Sequence, residues 1–193
     1  MIKRFFKNNF NLFCSKLKFQ KGLMLAELLI VIAISLLLTL AVVVNNKEGQ
    51  KKVLLERGAH KLAQDIRVTQ EMAISGRECP KCGGTEPNGY GLYFEPGSDE
   101  YTIYADMDGN EAYNGPSSDS PIEKIYLERG IFIKSVDPAS TEVSVHFLPP
   151  DPKIIINLDG GSSNLITIEI ALTADPIKTK TITVNTVGLI EID

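Results

Sequence analysis

The chain has no tryptophan, two histidines and three cysteines among its 193 residues. Three cysteines are too few for a disulfide-dense miniprotein. Neither histidine has a nucleophile motif nearby, and no glycine-rich phosphate loop occurs, so no catalytic constellation emerges. A basic excess is missing as well. The formal net charge is −4 and the pI is near 5.3, which argues against a general nucleic-acid binder, because phosphates are neutralised by Lys and Arg. The rest is ordinary, with 44% hydrophobic and 23% charged residues, which excludes a disordered or collagen-like chain.

What is present is unevenly spread. Residues 1–22 hold Lys3, Arg4, Lys7, Lys16, Lys18 and Lys21 and no acid, a sum of +6. The other 171 residues hold 14 basic and 24 acidic side chains, a sum of −10. Leu23–Val44 follows, 22 residues with Glu27 as the one charge. As a helix this span is roughly 33 Å long, enough to cross the hydrocarbon core of a bilayer. Basic residues beside an apolar span mark its cytoplasmic side, so the acidic remainder is expected across the membrane. A buried helix of a soluble protein fits less well, because the run is uninterrupted and has a basic flank. A cleaved secretory signal fits less well too, because its apolar region is shorter and ends in a small-x-small site. Glu27 is the anomaly. A carboxylate inside a bilayer is costly unless paired or protonated, and nothing within Leu23–Val44 can pair with it.

Lys21-Gly22, then Leu23-Met24-Leu25-Ala26, then Glu27-Leu28-Leu29-Ile30-Val31-Ile32-Ala33-Ile34 resembles the processing motif of type IV prepilins. The resemblance covers about 25 residues. It implies cleavage after Gly22 by a membrane prepilin peptidase, which usually also N-methylates the new terminus, here Leu23. It places Glu27 at the fifth mature position. There its carboxylate would pair with the Leu23 amine of a neighbouring subunit in a fibre, offsetting the desolvation of both charges. Leu23 stands where the family usually has phenylalanine. Cys14 lies in the leader and would be lost on processing.

Asn45-Asn46-Lys47-Glu48-Gly49 interrupts the apolar run and marks the membrane exit. A helical period then returns in Leu55, Ala59, Leu62, Ile66 and Ala73, widened by Ala63 and Val68. Gly76 reads as a stop. One helix from about 24 to 75 is expected, flexed near Asn45–Gly49, its second half packed on a globular head. His60 on this helix has no acid or cysteine cluster around it and is read as a surface or edge residue.

The remaining residues read as all-β. Strands are expected at Tyr90–Phe94, Tyr101–Ala105, Ile131–Val136, Val143–Phe147, Ile154–Leu158, Leu165–Leu172, Lys178–Val184 and Leu189–Ile192. Turn signals separate them at Glu95-Pro96-Gly97, Asp108-Gly109, Asp159-Gly160-Gly161 and Asp175-Pro176. Pro149-Pro150-Asp151-Pro152 reads as a stiff loop. Such a set implies two packed antiparallel sheets. Leu62–Arg67 with Glu71–Ile74, and the ending Ile182-Thr183-Val184 with Gly188–Ile192, resemble the head of the H-type minor pseudopilins and their minor-pilin relatives. The expected class is therefore α+β: a leader (1–22), a long helix (23–75, transmembrane to about 44) and an exported β-rich head (76–193).

Two head motifs carry chemistry. Cys79-Pro80-Lys81-Cys82-Gly83-Gly84 looks like one knuckle of a zinc ribbon, but structural zinc needs four ligands and no second cysteine pair remains after processing. A disulfide is favoured in an exported head, with two free thiols as the alternative. Asp106, Asp108 and Asn110 place oxygens at alternate positions, as calcium loops do. Glycine falls at the fourth position rather than the sixth, and Ser117 stands where the bidentate glutamate belongs. An acidic turn without metal is favoured, and some pseudopilins' head-loop calcium keeps that ion open by resemblance. No other cofactor is expected.

The expected function is a non-enzymatic structural subunit, a minor pilin or pseudopilin of a type IV pilus or type II secretion pseudopilus. Its expected partners are the prepilin peptidase, other pilin-like subunits and the inner membrane, with the leader cytoplasmic and the head exported. A competence-type DNA-uptake pilin is an alternative that the acidity disfavours, despite Lys178 and Lys180. A non-polymerising membrane-tethered β-domain is another, and it predicts no cut at Gly22.

Overall fold

The computed structural model describes residues 21–149 and 153–193, and in the helix the side chains of residues 21–23 and 44–47 are outside the description. The leader up to residue 20, with Cys14, lies outside the described residues, as do Pro150, Asp151 and Pro152 of the expected stiff loop. The chain divides into two units at Gln50 and Lys51. One α-helix, α1, covers Lys21–Ile74 and runs through Asn45–Gly49 without a break in helical backbone.

In the first unit the large apolar side chains from Met24 to Val43 are exposed, and the segment is long and apolar enough to cross a membrane. Its two hydroxyls are satisfied internally. Ser35 Oγ donates to Val31 O and Thr39 Oγ1 to Ser35 O, each at 2.7 Å. Such bonds back to the preceding turn leave no unpaired hydroxyl facing hydrocarbon.

In the second unit α1 presents a stripe to the head. Leu55, Ala59, Leu62, Ala63, Ile66 and Ala73 are buried, with Gly58 and Thr69 between them. Gly58 lets the helix come close, because a Cβ there would lie 2.7 Å from Ile131 Cδ1. Val68 does not join the stripe. It is 39% exposed, since 100° per residue carries it past the edge of the face set by Leu62 and Ile66. The helix ends as a Schellman motif: Gly76 N donates to Ala73 O and Arg77 N to Met72 O, with Gly76 at φ +55°. That left-handed conformation suits glycine.

Ten strands follow: β1 Gly89–Phe94, β2 Glu100–Asp106, β3 Ser120–Tyr126, β4 Ile131–Asp137, β5 Val143–Leu148, β6 Lys153–Leu158, β7 Gly161–Ser163, β8 Leu165–Leu172, β9 Asp175–Asn185 and β10 Ile190–Ile192. They form two antiparallel sheets, ordered β3-β2-β1-β5-β6-β7 and β10-β9-β8-β4. The architecture is thus α+β, a long helix packed on two antiparallel sheets around one core that joins Leu62 and Ile66 to Leu92, Phe147, Ile156, Ile168 and Ile182.

Two strands depart from the sequence expectation by being extra. The first, β3, reads Ser-Pro-Ile-Glu-Lys-Ile-Tyr, and its proline and charges hide it. It is an edge strand with an irregular register beside Ile103 and Tyr104, where proline costs no central ladder bond. The second, β7, is three residues of the glycine-rich turn after β6. A third departure concerns Asp175-Pro176, which lies inside β9 and not in a turn. The turn is Thr173-Ala174. The pairing jumps from Ala171↔Thr179 to Leu172↔Asp175, so Pro176 sits in a bulge.

Candidate functional site

Strand alternation gives the six-stranded sheet two faces. On β1, Tyr90, Leu92 and Phe94 enter the core, so Gly89, Gly91 and Tyr93 face the other way. The two glycines leave a trough. A Cβ on Gly91 would lie 2.5 Å from Tyr104 Cζ, and one on Gly89 would lie 2.5 Å from His146 Nε2. Gly91 is paired with Tyr104 of β2 and with His146 of β5. The rings of Tyr104 and His146 therefore meet over it, with Tyr104 Oη 3.5 Å from His146 Nδ1.

The segment from Met107 to Asp119 covers this trough. Tyr113 packs on Tyr93 and Tyr104, with ring centroids 4.9 and 5.1 Å apart. Tyr113 N donates to Ser144 Oγ at 3.2 Å, and Asn157 Nδ2 donates to Glu111 O at 2.8 Å. Two buried carboxylates organise the loop itself. Asp106 accepts from Gly109 N at 2.6 Å and Glu111 N at 3.0 Å. Asp119 accepts from Asn114 N at 2.8 Å and Met107 N at 3.3 Å. Of the six buried polar side chains among the described residues, Thr102, Asp106, Asp119, Ser144 and His146 belong to this face or its loop.

The electrostatics follow from burial. Desolvation pushes the Asp119 carboxyl up, and the donated N–H bonds from Asn114 and Met107 pull it partly back. Desolvation lowers His146, against the opposing pull of Asp106 and Glu111. The imidazole is accordingly neutral at physiological pH. Its Nε2 lies 3.7 Å from Asp106 Oδ2 and has no hydrogen-bond partner.

Asp106, Asp108 and Asp119 converge, with one oxygen of each within 4.8 Å of the others. The sequence spacing proposed Asp106, Asp108 and Asn110. The structure brings the first two together and adds Asp119, eleven residues beyond Asp108. Asn110 lies beside Asp108 and braces the loop: Nδ2 donates to Asp108 Oδ2 at 2.8 Å and Oδ1 accepts from Ala112 N at 3.0 Å.

The other sequence candidates stand apart. Cys79 and Cys82 form a disulfide, with Cα atoms 5.2 Å apart. It clips the segment leaving α1, which Tyr90 and Lys81 tie down by hydrogen bonds to Arg77 O and Ile122 O. His60 is exposed. Lys178 lies 3.8 Å from Asp175. Glu27 lies on an exposed face of α1, and no side chain among the described residues pairs with it. The side chains of Lys21, Gly22 and Leu23 fall outside the description.

No protein-family model and no curated protein matches the chain. Among solved structures, the chain is similar to the type IV minor pilin FimU of Pseudomonas aeruginosa (strain PAO1) in two crystal forms. Identity is 12% in each, TM-scores are 0.41 and 0.40, and the match covers 72% of this chain and 87% and 92% of the FimU chains.

Proposed function

We propose that this chain is a pilin-like structural subunit, cut after Gly22 by a prepilin peptidase and assembled into a fibre through its apolar helix. The observation that carries the reading is the make-up of α1. Its first part, from Met24 to Val43, has Glu27 as its one charge and is otherwise apolar apart from the internally bonded hydroxyls of Ser35 and Thr39, and its second part is built into the head by one buried stripe. A helix apolar all round is stable only within lipid or among other apolar helices. Glu27 supplies the reason to leave lipid. After cleavage, the Leu23 amine of a neighbour would be its counter-charge, and the pair fixes axial register. Lys21-Gly22 before Leu23 supports the cut, and the basic leader supports a cytoplasmic N-terminus with an exported head. The head's resemblance to H-type minor pseudopilins favours a minor subunit of a pilus or type II secretion pseudopilus, with Leu23 as the methylated residue.

The test is the N-terminus and intact mass of the protein taken from cells with active peptidase. The reading expects a chain beginning at Leu23, with or without one methyl group. A chain still beginning at Met1 would refute it and favour a tethered, non-polymerising domain. Glu27→Ala is then expected to remove the subunit from sheared fibres while leaving its membrane level unchanged.

A further inference from the structure

We propose that the outer face of the six-stranded sheet holds an arginine side chain of a basic partner protein, in a cavity between Tyr93, Tyr113 and Glu95. The site lies on the head and does not depend on how α1 is used. The sheet register builds it. Lys124 of β3 pairs with Thr102 of β2, Thr102 with Tyr93 of β1, and Tyr93 with Ser144 of β5. The four side chains therefore form one row on the face away from the core. Tyr113 covers the Ser144 end of the row, its N–H donating to Ser144 Oγ at 3.2 Å. The Thr102 end is left as a cavity of about 160 Å³, whose lining includes Tyr93, Tyr113, Glu95, Glu100 and Lys124.

The lining selects a flat cation. The Tyr93 and Tyr113 rings meet with centroids 4.9 Å apart and planes at 50°, and both are half-buried. They make an angled wall of two π-faces, and such a face attracts a cation within about 6 Å of its centroid. Burial raises both phenols, so they stay neutral. Tyr93 Oη donates to Glu95 Oε1 at 2.8 Å, which fixes that carboxylate at the rim with its other oxygen turned to accept. Glu100 lines the same cavity, and the charge of Glu142 also acts on Tyr93. Lys124 is the one base among the described lining residues, and it is tied to Glu100. Three acids against one base leave a sum of −2 around the two rings. A guanidinium is planar, weakly hydrated, stacks on an aromatic face and meets a carboxylate with two N–H groups. Pockets for drug-sized ligands run to about 300–1,000 Å³, so this one suits a single side chain and not a nucleotide. The partner is a different protein. Residues 23–193 sum to −10, so copies of the head repel one another while a basic surface is drawn in.

The experiment uses the full chain in detergent micelles, with ring-labelled tyrosine read by nuclear magnetic resonance. The probe is the capped tripeptide acetyl-Gly-Arg-Gly-amide. Capped Gly-Lys-Gly and its neutral citrulline counterpart serve as comparisons. Tyr93→Phe and Tyr113→Phe assign the two signals. Of the six tyrosines, these two are expected to shift and saturate, with a dissociation constant of about 1–10 mM, as suits one side chain. The lysine peptide should bind about threefold more weakly, because an ammonium has no face to stack. The citrulline peptide should give no saturable shift. Glu95 and Lys124 are exposed, so their substitutions are expected to fold. Glu95→Gln should weaken binding about threefold or more by removing the acceptor charge. Lys124→Gln should tighten it about twofold by freeing Glu100 from its own cation. Four results would overturn the proposal: no saturable shift of Tyr93 or Tyr113 up to about 50 mM probe; equal shifts with citrulline; a lysine peptide that binds as tightly as arginine; or parental affinity in both Glu95→Gln and Lys124→Gln. Should either variant fail to fold, the other decides with the citrulline comparison.

Discussion

Gly91→Ala adds one methyl group where the structure has no room for it. The new Cβ would lie 2.5 Å from Tyr104 Cζ and 2.6 Å from both Cε1 and Oη. Ordinary Cβ contacts begin near 3.4 Å, so the ring must move by about an ångström. Tyr104 is fully buried and held between Tyr113 and His146, so that movement disturbs a packed set. Overpacking of this kind costs about 1–3 kcal/mol. Tyr104→Ala alone should cost about 3–5 kcal/mol as a large-to-small change in a packed site. In the Tyr104→Ala background the methyl has space, and the cost of Gly91→Ala should fall close to zero. The double variant should therefore be more stable than the sum of the singles implies, by about 1–3 kcal/mol. Urea unfolding of the full chain in micelles, followed by tyrosine near-ultraviolet dichroism, gives the four free energies. Additivity within about 0.5 kcal/mol would refute the trough and the seating of Tyr104 across it.

Three further outcomes test the rest of the head. Leu62→Ala removes a fully buried side chain from the stripe of α1 and should cost about 2–5 kcal/mol, whereas Lys52→Ala, on the exposed side, should fall within about 0.5 kcal/mol of no change; equal urea midpoints would contradict the packed stripe. Replacing Cys79 and Cys82 with serine opens a short loop (the two are three residues apart) and should cost about 2 kcal/mol by loop-closure entropy; reductant should lower the parent's urea midpoint and leave the variant's alone. Glu169 is held below the usual carboxylate range first by the Ser135 hydroxyl and then by Lys134. A lowered folded value means that its stabilisation is present above the unfolded pKa of about 4.3 and is lost as pH falls through the folded value. Ser135→Ala should flatten the stability-versus-pH slope below about pH 4.3, and an unchanged slope would remove Ser135 as the cause.

How much of this was legible follows from the range over which each feature is encoded. The helix was plain, because its period is local: Leu55, Ala59, Leu62, Ile66 and Ala73 are all buried as their spacing predicts. Val68 failed because apolarity was read without its angle. The strands rich in Ile, Val and Thr were visible, but β3 was not. An edge strand buries little, so its sequence can be Pro121, Glu123 and Lys124 without loss. Two packed antiparallel sheets were expected and are found, but which strands pair was not visible, since β1 pairs with β5 about 50 residues away and no local signal encodes that partner.

The carboxylate loop shows the same division within one site. Asp106 and Asp108 stand two apart and could be read as a ligand pattern. Asp119 could not, because it reaches them only when the loop folds back through the N–H groups of Met107 and Asn114. His146 was further hidden, lying on β5 as an isolated histidine in an apolar strand. A signal for both did exist in Gly89 and Gly91. Two glycines at alternate positions of a strand otherwise built from Tyr, Leu and Phe are a poor choice for strand stability. Their spacing confines the missing side chains to one face. Something large must therefore cross that face, and the neighbours of Gly91 in the sheet are Tyr104 and His146. The glycines announce the covered trough, and the trough requires a covering segment. The connection from β2 to β3, which carries Asp106 at its start and Asp119 at its end, is the segment whose Tyr113 reaches across it. The acids at its two ends are brought together by the act of covering.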